Sequence, residues 1–203
     1  FRRSRGLGDV YKRQVQYGRR RKDFQFDYTQ PWLFDKKLAF STGLYYRDLL
    51  YLSDKYDQTI AGGYMSLRKP LGEYTSLSFK SSLEKYEIDV DSDSSDTLKR
   101  EEGDYNRALF SVNYVLDTRD SQYLTRRGHR LSVGTDFSVG DVETHGVQFS
   151  GSKYFLLPFD TILSVSGRYR SVDGSGDIPI FEREFLGGAS SLRGYEEREA
   201  SRA

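Results

Sequence analysis

Cysteine is absent from all 203 residues, which excludes a disulfide framework and any thiolate metal centre. Histidine occurs twice, as His129 and His145, leaving little material for metal ligation or acid–base chemistry. No run of roughly 18 apolar residues exists, so a membrane-spanning helix is excluded, although strands that alternate and average as polar are not. No G-x-S-x-G nucleophile motif is present, and Ser150 beside Gly151 in GVQFSGSKY reads as the wet side of a strand. The acidic stretch EIDVDSDSSD at 87–96 lacks the Gly and closing Glu of a calcium loop and reads as a solvated connection. We therefore expect no catalytic residue, no cofactor and no metal.

Aromatic residues, in contrast, make up 15% of the chain, with 16 Tyr and 13 Phe, while all hydrophobics reach only 36%. A water-soluble core leans on Leu, Ile and Val instead. Tyr-rich, Gly-rich and polar on average is the composition of a barrel with one wet and one greasy face. The net charge of +1 is unevenly spread: residues 1–22 hold nine Lys/Arg against one Asp, so the remainder balances to −7. A basic arm suits nucleic acid or anionic lipid, but nothing further along the chain supports a nucleic-acid partner. Residues 1–14, FRRSRGLGDVYKRQ, have no apolar signal core and no period of 2 or 3.6, and GLGDVYKRQ resembles a translated sequencing adapter. They are expected to be a non-native leader, with the folded domain at 15–203.

Alternation with period 2 recurs through that domain. Phe24, Phe26 and Tyr28 oppose Gln25, Asp27 and Thr29; Leu38, Phe40, Leu44 and Tyr46 fall together, as do Ala61, Gly63, Met65 and Leu67. Leu77, Phe79 and Leu83 oppose Ser78, Lys80, Ser82 and Glu84, and Ala108, Phe110, Val112 and Tyr114 oppose Ser111 and Asn113. Leu131, Val133, Phe137 and Val139 oppose Arg130, Ser132 and Asp136; Val147, Phe149 and Phe155, then Leu163, Val165 and Tyr169, complete the series. About eight antiparallel strands of roughly ten residues follow, the length a tilted strand needs to cross a bilayer. A soluble β-sandwich also alternates and is the competing reading. Short Pro-bearing connections (31–37, 70–73, 157–160) alternate with long polar ones (47–58, 86–106, 171–200). Membrane barrels have short periplasmic turns and longer surface loops, so the Pro turns are expected to face the periplasm. The short connection 140–146 and the long one 117–128 are exceptions to that rule.

Three segments carry a family resemblance: DYTQPWLFDKKLAFSTGLYYRD, LDTRDSQYLTRRGHRLSV and FEREFLGGASSLRGYEERE. They resemble, in that order, a strand ending in a Pro-aromatic turn, an Asp-x-Arg…Gly turn, and a Gly-Gly-Ser loop followed by Arg-Gly-aromatic. All three are found in the barrels of BamA-type outer-membrane assembly factors, of the bacterial surface antigen superfamily. The family usually has Pro near Thr125, which this chain lacks.

The resemblance implies an all-β, antiparallel transmembrane β-barrel in the bacterial outer membrane, here an internal arc of about eight strands forming an open curved sheet. It implies that the loop carrying Gly187, Gly188, Arg193, Gly194 and Tyr195 folds into the lumen. There Arg193 would pair with residues of strands beyond this chain. Asp117, Arg119 and Gly128 would form the periplasmic turn motif. The ending SRA closes no element, and together with the leader it reads as the boundary of a fragment. The implied activity is non-catalytic insertion of nascent outer-membrane β-barrel proteins, with the bilayer and accessory lipoproteins as further partners. A secretion or translocation pore of the same superfamily and a passive porin-like barrel stand as alternatives.

Overall fold

The computed structural model describes residues 10–17, 22–53, 56–94, 96–175, 179, 182, 185–186 and 200–201. Nine antiparallel strands form one sheet in sequence order: β1 (Val10–Tyr17), β2 (Lys22–Gln30), β3 (Ala39–Ser53), β4 (Tyr56–Pro70), β5 (Thr75–Val90), β6 (Gly103–Asp117), β7 (Gly128–Gly140), β8 (Thr144–Leu156) and β9 (Ile162–Gly174). Every strand pairs with the next, and β1 and β9 are the two edges. A second antiparallel pair joins β10 (Phe185–Leu186) to β11 (Ala200–Ser201). One four-residue helix, α1 (Asp96–Lys99), lies between β5 and β6.

The registers turn the sequence alternation into two chemically distinct faces. On one, Phe26, Leu44, Gly63, Leu83, Ala108 and Val139 line up across six strands. The neighbouring row runs through Phe110 and Phe137, whose rings stack at 5.3 Å. On the other face, Gln25, Tyr45, Gly62, Glu84, Arg107 and Gly140 stand opposite one another.

Exposure separates a membrane sheet from a soluble sandwich. Leu44, Met65 and Leu83 on the apolar face are 65%, 62% and 68% exposed, whereas Ser82 and Arg107 on the polar face are 2% and 8%. A sandwich would bury its apolar face against a second layer; here the apolar face is the bare one, as in a sheet whose solvent on that side is lipid. The only buried apolar cluster, among the described residues, is Tyr56, Ile88 and Leu98, with Val90 and Tyr105 packed against it. It sits at the end of the sheet that carries the long connections, the loop end, where α1 lays Leu98 over β4 and β5.

Two details of the expected sheet change, within the expected all-β class. The sheet has nine strands rather than about eight, because Val10–Tyr17 pairs along β2 from Val10 opposite Thr29 to Tyr17 opposite Lys22. That segment carries charge on both faces, so no alternation marked it. The strands are also longer than ten residues, 13 to 16 in β3 to β9. Most residues assigned to the loop 47–58, and both ends of the loop 86–106, belong to strands that continue past the apolar band. Beyond that band the apolar face no longer meets lipid, and period 2 fades from the sequence while backbone pairing persists.

At the opposite, turn end, two connections share one geometry. Phe34 and Asp35 have φ of 53° and 56°, and Phe159 and Asp160 have 61° and 54°. Lys36 N–H donates to Leu33 O at 3.1 Å and Thr161 N–H to Pro158 O at 3.5 Å, closing each turn. Two consecutive left-handed residues match the twist of antiparallel strands; Asp tolerates this conformation, whereas Phe rarely does.

The two faces differ in what they tolerate. In the full-length protein, Val112→Arg places a charge on the apolar face at mid-strand and should cost about 2–4 kcal/mol. Ser111→Arg, one residue away on the polar face beside Lys80 and opposite Asp136, should cost far less. Urea titration of the two variants in lipid vesicles, followed by heat-modifiable gel mobility, measures the difference.

Candidate functional site: an ion-laced wall and a braced turn

The polar face holds its charges in cross-strand pairs. Tyr64 donates to Asp27 at 2.7 Å, and Tyr45 donates to Glu84. Space for these rings comes from glycine: a Cβ on Gly43 would stand 2.6 Å from the Tyr64 ring, and one on Gly62 would stand 3.0 Å from the Tyr45 hydroxyl. Arg107 then closes on Glu84 through Nε and Nη2 at 2.9 and 2.8 Å, and its Nη2 also donates to the Tyr86 hydroxyl at 2.7 Å. Its guanidinium stacks 4.9 Å above the Tyr86 ring. The remaining nitrogen, Nη1, meets the carboxylate of Glu182, which comes from the connection after β9. A planar fork with donors on both edges suits this double engagement, which a lysine does not reproduce.

The turn end holds the Asp117, Arg119 and Gly128 set. Arg119 donates through Nε and Nη2 to the two oxygens of Asp117, both at 2.8 Å. Asp117 N–H donates to Tyr74 O at 2.8 Å, tying this connection to the turn between β4 and β5. Gly128 has φ of +104°, and a Cβ there would overlap the Thr118 carbonyl and stand 2.8 Å from the Arg119 Cα. The chain can therefore pass only if residue 128 lacks a side chain.

Next to it, Asp120 accepts backbone N–H bonds from Ser121 at 3.0 Å, Arg126 at 3.0 Å and Arg127 at 3.3 Å. These amides, that of Arg126 foremost, hold its carboxyl below the ordinary aspartate range. Arg126 also reaches Asp160 at 2.8 Å, joining this connection to the β8–β9 turn. A cavity of about 590 Å³ opens beside the braced turn, walled by Trp32, Arg68, Tyr74, Asp117, Arg119 and Arg130 among others.

The structure thus brings Asp117, Arg119 and Gly128 together. Gly187, Gly188, Arg193, Gly194 and Tyr195 lie outside the described residues, between the paired β10 and β11. No cluster of His, Asp or Glu suited to a metal ion occurs among the described residues. Sequence reading placed Glu84 on the polar face but missed its partners Arg107, Tyr45 and Tyr86, and the second carboxylate on Arg107, Glu182. The one available signal was that Arg107 falls on the wet side of a strand flanked by apolar residues; its partner is fixed only by register.

An antiparallel sheet, bare on its apolar face and ion-paired on its polar face, defines the wall of a transmembrane β-barrel. More particularly, residues 4–202 match the Omp85 superfamily domain, and the chain belongs to that family. It is 27% identical to the outer membrane protein assembly factor BamA of Nitratidesulfovibrio vulgaris, over 97% of this chain and 25% of that protein. The human sorting and assembly machinery component 50 homolog is 32% identical over 48% of this chain and 22% of its own length. Among solved structures, BamA from Haemophilus ducreyi lacking POTRA domains 1–3 superposes with a TM-score of 0.80 at 14% identity, over 95% of this chain and 41% of that one. The chain spans about a quarter of the curated relatives' length.

Because folding lowers the Asp120 pKa, its carboxylate contributes stability above the unfolded value, and the contribution is lost as pH falls through the folded one. Protection of the Arg126 and Arg127 amides, measured against the intrinsic exchange rate at each pH, should therefore fall in acid but stay high at neutral pH. Asp120→Asn should show fast exchange already at neutral pH. Gly128→Val should destabilise the turn by about 1–3 kcal/mol, read as a lower urea midpoint of the full-length protein.

Proposed function

We propose that this chain is the central wall of a factor that folds β-barrel proteins and inserts them into the bacterial outer membrane, without covalent catalysis. The observation that carries the reading is the inverted sheet, greasy face bare and ionic face covered, in a chain of the Omp85 superfamily. Support for the bacterial membrane comes from coverage: the bacterial relative aligns along 97% of this chain, the human one along 48%. In this reading the turn end faces the periplasm and the loop end the cell surface.

The partners are the bilayer on the apolar face, nascent barrel proteins as substrates, and accessory assembly lipoproteins bound to the whole parent. The work is edge pairing: an unpaired strand edge in hydrocarbon is costly, so a seam that opens offers a template on which a substrate strand gains its hydrogen bonds. The seam belongs to other strands of the parent; this chain supplies the rigid wall. Gly187 and Gly188 bend the last connection inward, and Arg193, with Gly194 and Tyr195, locks it in the lumen. Asp117, Arg119 and Gly128 lock the periplasmic turn. A secretion or translocation pore is the second reading, favoured by the Arg-Gly-aromatic motif that such paralogues share.

The full-length parent reconstituted in phospholipid vesicles should speed the folding of a urea-denatured outer-membrane barrel protein, and Arg193→Ala should remove most of that acceleration. Cells depleted of the native copy should grow with the wild-type gene and fail with Arg193→Ala. Normal complementation by that variant, with the loop as resistant to protease as before, would sink the lock. Large, steady single-channel conductance without acceleration would favour a passive pore, and secretion of a soluble partner would favour the second reading.

A further inference from the structure

The connection after β9 returns to the wall at one point among the described residues. Glu182, 8% exposed, places one carboxylate oxygen on Arg107 Nη1 and the other 3.6 Å from Arg170 Nη2. Arg107 stands on β6 and Arg170 on β9, with two strands between them. Arg170 lies in the row of Gln148, Gly134 and Asn113, so three strand steps of about 4.8 Å and six residues of about 3.4 Å rise separate it from Arg107, yet the two side chains converge on a single carboxylate. Arg107 is engaged on its other edge by Glu84, whose two oxygens also accept from the Tyr45 and Tyr86 hydroxyls. Two carboxylates and two guanidiniums thus form a balanced, hydrogen-bonded set. A buried charge is tolerated only when paired and hydrogen-bonded in this way.

We infer that Glu182 is a positioning residue, a clasp that fixes the root of the connection bearing Gly187–Tyr195 to the polar face of β6 and β9. The sequence-based assignment gave that connection one anchor, Arg193, whose partners lie outside this chain. Glu182 supplies an anchor to strands that precede it. The carboxylate is specifically required: it has two oxygens for two arginines, whereas a neutral amide keeps one acceptor, turns an NH2 donor towards the other cation and removes the charge. Aspartate keeps the charge but shortens the reach. The inference rests on the barrel reading and is independent of whether the parent inserts proteins.

The test uses the full-length protein in native membranes, with any cysteines outside this segment replaced. Paired Arg107→Cys and Glu182→Cys should be bridged by a short bifunctional maleimide that spans the space of the two removed side chains, too wide for a direct disulfide, while Glu182→Cys paired with Ser150→Cys should not. A Ser191→Cys reporter should react with a membrane-impermeant maleimide roughly tenfold faster in Glu182→Gln than in the parent, with Glu182→Asp between them. Heat-modifiable mobility checks that each barrel is folded. Unchanged labelling in a folded Glu182→Gln protein overturns the clasp. If that variant does not fold, the cross-link decides: its absence overturns the proposal and its presence supports it. An inactive insertion factor that still cross-links and shows the labelling increase would fail the proposed function and keep the clasp.

Discussion

The constraint on which everything else depends is the backbone hydrogen bond. In hydrocarbon no water satisfies a free N–H or C=O, so each strand of a spanning sheet must find its partners in its two neighbours. The continuous registers from β2 to β9, broken only by the shift between Leu49 and Ser53, are the direct expression of that demand. Antiparallel pairing in turn fixes the side-chain parity, and a slip of one residue would carry Glu84 and Arg107 into lipid and Leu83 and Ala108 into the interior. The cost of such a slip is many kcal/mol, so the pattern of polar and apolar residues specifies register strongly. The edges β1 and β9 carry the same demand outward, consistent with a chain that covers 41% of the solved chain it superposes on.

Parity then divides the polar face along its length. Towards the turn end the rows are small: Ser76, Val115, Ser132 and Ser150 stand in one, followed by Arg168. Towards the loop end they are large and ionic, with Tyr45, Glu84, Tyr86 and Arg107 filling adjacent rows and the Tyr56–Ile88–Leu98 cluster beyond them. The small row leaves room beside the cavity walled by Trp32, Arg68 and Arg130, while the large ionic rows fill the face near the loops. The filling is electrostatically matched, because a half-satisfied buried network is worse than none.

How much of this was legible in the sequence depended on where two chemistries contrast. Each facing read from alternation, from Phe24 to Tyr169, agrees with the observed registers, because lipid on one side and polar groups on the other impose opposite preferences on adjacent residues. Strand ends were illegible, since Asp48, Thr59 and Glu87 sit beyond the apolar band and look like loop residues although they are paired. β1 was missed for the same reason. The Asp117–Arg119 pair could be read because it is local, two residues apart on one strand end. Glu182 could not: nothing in FERE distinguishes the residue that meets Arg107 from its neighbours until nine strands are laid side by side.

That difference in range also orders the assembly of the wall. Arg–carboxylate chemistry is used at both ends, but the loop closed by each pair differs. Asp117 and Arg119 are two residues apart, so their pair can form with the hairpin of β6 and β7 and brace the turn from the outset. Glu182 and Arg107 are 75 residues apart. The entropy of closing so long a loop is not recovered by one ion pair in water, where charges attract weakly. It is recovered once β6 to β9 have paired, because the sheet then brings Arg107 and Arg170 within reach and lowers the local dielectric around them. The clasp can therefore close only on a finished sheet. Local pairs shape the strands as they form, and the distant pair secures the last connection after the wall exists to receive it.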